Sequence, residues 1–258
     1  MIGQTGLLSK LNAIPSIDKL ARVNLVIGPE GSGRHTFIKE VAKKFNVEAT
    51  PFTLSEIDSL YDETTISLRY IDLGEIALKE QLQLATVTKK VPQLVWIFII
   101  GENPNLIEDA LFNRCFIWQM DAYTVDELSI FVPMGVNAVR AIKVANTPGQ
   151  ISKIRSADEL NALFELCDTI IDKMSLANFA NALTLVNKVD RDKPDKFDPI
   201  LFLNCMLYRL YGKGLTSLYL LTLNYRKMLN YKKLVLSNLL SSYIVSLWKE
   251  YHNGCSRT

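Results

Sequence analysis

The residues of this chain best placed to do chemistry run from 28 to 36: Gly28, Pro29, Glu30, Gly31, Ser32, Gly33, Arg34, His35 and Thr36. They follow a short apolar stretch, Val23 to Ile27, and open a helical pattern. A glycine-rich turn in that context aims backbone N–H groups and a helix N-terminus at one place, which suits a phosphate. The full pattern G-x-x-x-x-G-K-[ST] asks for Lys at 34 and Ser or Thr at 35, where this chain has Arg and His. Arg34 keeps a positive charge, but its planar fork does not replace a compact ammonium threaded between phosphates. His35 puts an imidazole where a hydroxyl oxygen would bind magnesium, and imidazole is a poor ligand for that ion. Moving the register so that Thr36 supplies the hydroxyl demands glycines at 29 and 34, which are absent. The expectation is a loop that holds ATP or another anion without hydrolysing it, or one kept as a tight strand-to-helix turn.

Two further positions extend the candidate site. Asp72 ends an apolar segment, Leu68 to Ile71, at the place for a magnesium-positioning carboxylate, although Leu73 follows where a second acid is usual and Glu75 comes two places late. A strand-end Asp that caps a turn explains the same residue. Asn103 lies in Gly101-Glu102-Asn103-Pro104-Asn105, just after the apolar run Leu94 to Ile100. Polar residues at the C-terminal tip of a parallel strand stand where α/β sheets bind ligands.

These residues need a scaffold of strands alternating with helices. Val23 to Ile27 reads as a strand, and Phe37, Val41, Ala42 and Phe45 share one face of the helix after the loop. Helix is expected from Glu75 to about Val87. The run Leu94 to Ile100 is continuously apolar, as a strand covered on both faces is, and Phe116 to Trp118 forms another short apolar segment. Alternation of this kind implies a parallel α/β sheet. After about Met120 the pattern turns helical: Asp126 to Val132, Val136 to Ala145, then a turn or cap at Asn146-Thr147-Pro148-Gly149. Leu160, Leu163, Phe164, Cys167, Ile171 and Met174 follow helical spacing, as do Leu236, Leu240, Tyr243, Ile244, Leu247, Trp248 and Tyr251. Asp198-Pro199 reads as an N-cap with Pro at the first helical position, Gly212 as the stop, and Lys188 to Lys196 as a solvated connection.

The order of glycine loop, Asp-ended strand, apolar strand ending in Asn-Pro-Asn, and short helix ending in Asn113-Arg114-Cys115 resembles the AAA+ subunits of sliding-clamp loaders. It is most similar to the delta-prime type subunit of the bacterial DNA polymerase III clamp loader, whose signature is Ser-Arg-Cys; this chain has Asn113 for Ser. The resemblance implies an α/β AAA+ P-loop domain over residues 1–120, a helical lid over 121–155 and an all-α collar bundle over 156–258. It also implies that Arg114 acts in trans, entering a neighbour's ATP site, where a fixed guanidinium stabilises charge on the transferring phosphoryl group. A surface arginine capping a helix C-terminus is the plainer explanation. Partners implied are other clamp-loader subunits through the collar, the sliding clamp, and primed DNA indirectly. Related ATPases place a sensor arginine just after a glycine like Gly149, where this chain has Gln150. The chain is shorter than the usual family member and lacks the cysteine-rich zinc module of bacterial relatives, which suits a compact, divergent or phage-encoded version.

Composition narrows the field further. The 258 residues carry 29 Lys+Arg against 27 Asp+Glu, a formal charge of +2, which argues against a binder held to nucleic acid by bulk charge. Cys115, Cys167, Cys205 and Cys255 are far apart with no C-x-x-C pair, so neither zinc, another metal nor a disulfide framework is expected, and reduced thiols suit a cytoplasmic location. No basic n-region precedes a long apolar stretch, so neither export nor a membrane partner is expected. Seven tyrosines, at 208, 211, 219, 225, 231, 243 and 251, crowd the C-terminal part and suit an oligomerising bundle. Arg226, Lys227, Lys232 and Lys233 form a basic cluster best read as a solvated face, with DNA contact the lesser option. Two other functions remain open: a self-sufficient AAA+ ATPase such as a helicase loader, with Arg34 in place of the lysine, and a non-catalytic module binding another replication protein.

Overall fold

A computed structural model describes residues 3 to 175, 178 to 190, 193, 195 to 229 and 235 to 255. The chain divides into two compact units. One holds residues 1–127 together with 147–149, and the other holds 128–146 and 150–258.

The first unit begins with helix α1 (Thr5–Asn12), strand β1 (Val23–Ile27) and helix α2 (Arg34–Phe45). It continues through β2 (Ala49–Pro51), β3 (Ser67–Asp72), α3 (Gln81–Val87), β4 (Val95–Gly101), α4 (Asp109–Phe112) and β5 (Phe116–Gln119). All pairings are parallel, in the order β2-β3-β4-β1-β5. The continuous apolar composition of β4 is explained by its place in mid-sheet, where all seven residues are buried.

Side chains alternate across the sheet and build two cores. Leu25, Ile27, Ile97 and Ile99 pack with Leu60, Leu84 and Leu111 on one face. Val26, Trp96, Phe98 and Ile100 pack with Leu7, Leu11, Phe37 and Val41 on the other. The result is a three-layer α/β/α unit. One polar side chain interrupts it: Asn24, fully buried, donates from Nδ2 to the Ala21 carbonyl at 2.6 Å and accepts from the Trp118 indole N–H at 2.9 Å.

The helix expected from Glu75 is shorter, because the chain first makes two 3-10 turns, Leu73–Glu75 and Leu78–Glu80, before α3. Asp72 and Glu80 explain this locally: each carboxylate accepts a backbone N–H, from Gly74 and Ala77 respectively, and so competes with helical bonding. The helices that follow are α5 (Val125–Ser129), α6 (Ala138–Val144) and α7 (Pro148–Ile151). The expected turn at 146–149 is therefore partly helix, with Pro148 at the first helical position, which proline tolerates.

The second unit is all-α. It includes α8 (Ala157–Ser175), α9 (Phe179–Val186), α10 (Pro199–Gly212), α11 (Thr216–Met228) and α12 (Leu236–Cys255). Asp198 caps α10 by accepting the Ile200 and Leu201 N–H groups, both at 3.0 Å, and the helix closes at Gly212 as the sequence implies. The apolar stripe of α8 is buried from Leu160 to Met174, and Tyr243 and Leu247 of α12 are fully buried. Gln150 sits inward too, its side-chain oxygen accepting the Asn146 N–H at 3.1 Å, which is a structural role. Tyr231, Lys232, Lys233 and part of the 188–196 connection lie outside the described residues. Among those described, no helix is long and apolar enough to cross a membrane.

Candidate functional site

The chain leaves β1 towards β2 at one side of the sheet and leaves β4 towards β5 at the other, so the C-terminal ends of β1 and β4 flank a topological switch point. The glycine loop follows β1 directly and is tied to the neighbouring strand by Gly28 N–H donating to the Gly101 carbonyl at 3.2 Å. Gly28 is required by packing, since a Cβ there would lie 2.6 Å from the Met120 side chain. Gly31 and Gly33 have φ of 78° and 93°, the left-handed region that glycine enters without strain. Gly33 is the N-cap of α2, so the first N–H groups of that helix, from Arg34 on, have no intrahelical acceptor.

Three side chains and backbone groups from later in the chain hold the loop's carbonyls. The Thr147 hydroxyl donates to the Glu30 carbonyl at 2.8 Å, Gly149 N–H donates to that of Gly31 at 3.0 Å, and the Tyr123 hydroxyl donates to that of Ser32 at 2.8 Å. Burial raises the Tyr123 phenol above its ordinary value, so it stays a donor at neutral pH. Sequence reasoning missed all three. Residues 90 to 120 positions away carry no local signal of such contacts, though the tight approach of Gly149 to Gly31 accounts for one glycine read only as a cap. Ser32 is buried, and its Oγ has no hydrogen-bond partner.

The two residues that depart furthest from a magnesium site meet each other. His35 Nε2 lies 3.6 Å from Asp72 Oδ2, an ion pair when the imidazole is protonated, and its ring meets Tyr70 edge-on at 5.6 Å. The other Asp72 oxygen accepts the Gly74 N–H at 2.8 Å. Magnesium wants near-octahedral oxygen ligands. These side chains offer one carboxylate, already engaged, and an imidazole, so they do not fit that ion. Among the described residues no cluster of three His, Cys, Asp or Glu side chains gathers to hold a metal. Pro29 and Thr36 are exposed at the loop's rim, while Arg34 is half-buried.

Asn103 stands two residues beyond β4, exposed, with its side-chain oxygen accepting the Asn105 N–H at 2.9 Å to cap a 3-10 turn. Arg114 lies elsewhere. It precedes β5, whose Phe116 is level with Asn24 of β1, whereas the loop begins at residue 28. From that level β1 runs on for about 13 Å to the loop, and Arg114 lies in the turn on the other side of it, so the two stand at opposite ends of the sheet's strands. Arg114 is exposed and its guanidinium donates to the Ala85 carbonyl in the last turn of α3. Such a contact satisfies a helix-end carbonyl and complements the helix dipole.

A parallel α/β/α sandwich whose central strand runs into a glycine loop and helix N-terminus is a phosphate-loop fold. The parallel order β2-β3-β4-β1-β5 and the separate all-α unit agree with the α/β domain followed by an all-α part expected from the sequence. No family model matches the chain, and no curated protein matches it. Among solved structures it is similar to the Thermotoga maritima RuvB Holliday junction branch migration motor, with a TM-score of 0.47 and 16% identity over 83% of this chain and 77% of that one. A point-substituted form of the same protein gives a TM-score of 0.48 and 15% identity, again over 83% and 77%.

Proposed function

We propose that this chain is a subunit of a DNA sliding-clamp loader that does not hydrolyse ATP to any useful extent itself and lends Arg114 to the ATPase site of a neighbouring subunit. The observation that carries this reading is the placement of Arg114, exposed and at the opposite end of the sheet's strands from its own loop. An arginine so placed serves a phosphate only if the phosphate belongs to another protomer. The eroded loop is consistent with that division of labour, because His35 and Asp72 face each other where a hydrolysing site would hold magnesium. The helical unit is the assembly element, and the sliding clamp and primed DNA are partners of the assembled complex.

In this role Arg114 releases the Ala85 carbonyl and places its guanidinium beside the phosphoryl group in transit, where charge builds up on the equatorial oxygens. Breaking one exposed hydrogen bond costs about 0.5–1.5 kcal/mol, which is small beside what a finger arginine contributes to a transition state.

The test is to co-purify the chain with candidate clamp-loader subunits, assemble them with clamp and primed DNA, and measure ATP turnover with and without Arg114→Ala. The expected loss is on the order of 10³-fold. Arg114→Ala with undiminished turnover in the assembled complex refutes the trans role. The bond to Ala85 favours a second reading, in which Arg114 only caps α3 and the α/β unit presents the helical unit to another replication protein. That reading expects Arg114→Ala to lower stability slightly and leave turnover untouched.

A further inference from the structure

We infer that loop 28–36 binds the phosphate chain of its ligand without magnesium, its metal position being filled by the contact between His35 and Asp72. This rests on the loop's being a phosphate site, the first of the two expectations its sequence raises, and not on the role of Arg114.

Three observations point to an anion site that is built and not merely inherited. The carbonyls of Glu30, Gly31 and Ser32 are each held by a donor, from Thr147, Gly149 and Tyr123. In a planar trans peptide the N–H points away from the C=O of the same unit. Fixing those carbonyls therefore turns the Gly31 and Gly33 N–H groups to the opposite side of the loop, where the left-handed glycines form an anion-binding concavity. The second observation is Ser32. Its Oγ is buried and unpartnered, and lies 2.8 Å from where a Gly28 Cβ would stand, inside the curve of the loop. A phosphate oxygen is a natural acceptor for that hydroxyl. Third, the twelve-residue helix α2 starts at Arg34, so a fixed guanidinium charge and the helix N-terminus share the same entrance.

The metal has no comparable preparation. A phosphate-loop magnesium ion takes a hydroxyl from the residue at position 35 and a carboxylate from the end of the next strand. Here the first is an imidazole and the second has one oxygen on Gly74 N–H and the other 3.6 Å from that imidazole. Magnesium entering would have to displace His35 from Asp72 and accept a poor ligand in return. The chemistry recognised is a di- or triphosphate in its metal-free form, whether free or attached to a nucleoside.

The experiment is calorimetric titration of the full chain with sodium pyrophosphate, ADP and ATP, each in excess EDTA and again in excess magnesium. Binding is expected with affinities equal within about threefold in the two conditions. Pyrophosphate and ADP binding alike assigns recognition to the phosphates, and tighter ADP binding adds the nucleoside; both outcomes bear the inference out if magnesium is without effect. Magnesium tightening of about tenfold or more overturns the inference while leaving the phosphate loop standing, and no binding in either condition overturns both. Arg34→Ala should weaken binding by roughly 10-fold or more, as loss of a charge-assisted contact does, and unchanged affinity would place binding elsewhere. His35→Thr restores the hydroxyl and removes the imidazole from beside Asp72, so this variant should become magnesium-dependent. If it stays indifferent to magnesium, the imidazole is not what excludes the ion.

Discussion

Replacing Gly149 by alanine tests whether the far end of the α/β unit truly shapes the phosphate loop. A Cβ at 149 would lie 2.5 Å from Gly31 Cα, 3.2 Å from its carbonyl oxygen and 3.3 Å from its carbonyl carbon. Carbon atoms pack at about 3.5–4.0 Å, so the closest contact overlaps by about 1 Å. All three of these nearest atoms are backbone, which cannot swing aside as a side chain can. Overpacking of this sort costs about 1–3 kcal/mol. Shifting the strands of chain apart also weakens the bond from Gly149 N–H to the Gly31 carbonyl, adding about 0.5–1.5 kcal/mol, while alanine's better fit in the helical turn returns about 0.5–1 kcal/mol. The net is roughly 1–3 kcal/mol, borne by the loop. Hydrogen exchange over residues 23 to 45 should report it as a loss of protection of roughly 5- to 150-fold, with pyrophosphate binding weakened in step. Thr147→Val provides the companion measurement, since it removes the donor to Glu30 and leaves the backbone in place. Unchanged protection and unchanged pyrophosphate affinity in Gly149→Ala would refute the claim that this segment pre-forms the loop.

Other expectations follow from buried polar groups. Asn24→Ala removes the partner of both the Trp118 indole and the Ala21 carbonyl in a dry sheet, and should lower stability by about 2–4 kcal/mol in urea unfolding; a change under about 1 kcal/mol would show that water or a shift of Trp118 takes its place. Burial pushes the Cys115 thiol up to about 12, so it is protonated and unreactive at pH 8 in the folded chain. In a Cys255→Ser background, thiol reagent should modify Cys115 only on unfolding. Because the unfolded thiol ionises near 9 and the folded one near 12, its contribution to stability is complete below pH 9 and declines as pH rises through that window.

How far the sequence discloses this molecule depends on whether a feature is local. Strands β1 and β4 are legible because burial on both faces forces every residue to be apolar or internally satisfied, and the helix stripe of α8 is legible because a core on one side imposes its period. Strand β2, three residues ending in Pro51 at the sheet edge, leaves no such mark. Asn24 passes as a member of an apolar strand, because only the fold reveals Trp118 beside it. In the site, the glycines announce a tight turn from their spacing alone. Tyr123, Thr147 and Gly149, which hold that turn's carbonyls, are invisible until the chain has folded. Asp72 and His35, 37 positions apart, are each readable as a defect; that they form one contact is a fact of the sheet order, which brings the end of β3 within reach of the start of α2.

That contact bears on how a phosphate loop can lose hydrolysis and keep its shape. If the loop had no remaining task, nothing physical would favour three separate donors on its carbonyls or two left-handed glycines, since each fixes backbone that a plain strand-to-helix turn leaves free at lower entropic cost. If it still turned over ATP, an imidazole beside the strand-end carboxylate would be an obstruction, because it engages an oxygen the metal needs. A site that grips phosphate and has given up the metal reconciles the two, for it requires the N–H concavity and no longer needs Asp72 to hold an ion. His35→Thr and Gly149→Ala should therefore fail in different ways: the first changes what magnesium does to binding and leaves the loop's exchange protection intact, and the second weakens binding equally with or without magnesium. Should both variants alter the magnesium response, shape and metal exclusion are not separable in this loop, and the division drawn between its carbonyl clamps and its His35-Asp72 contact is wrong.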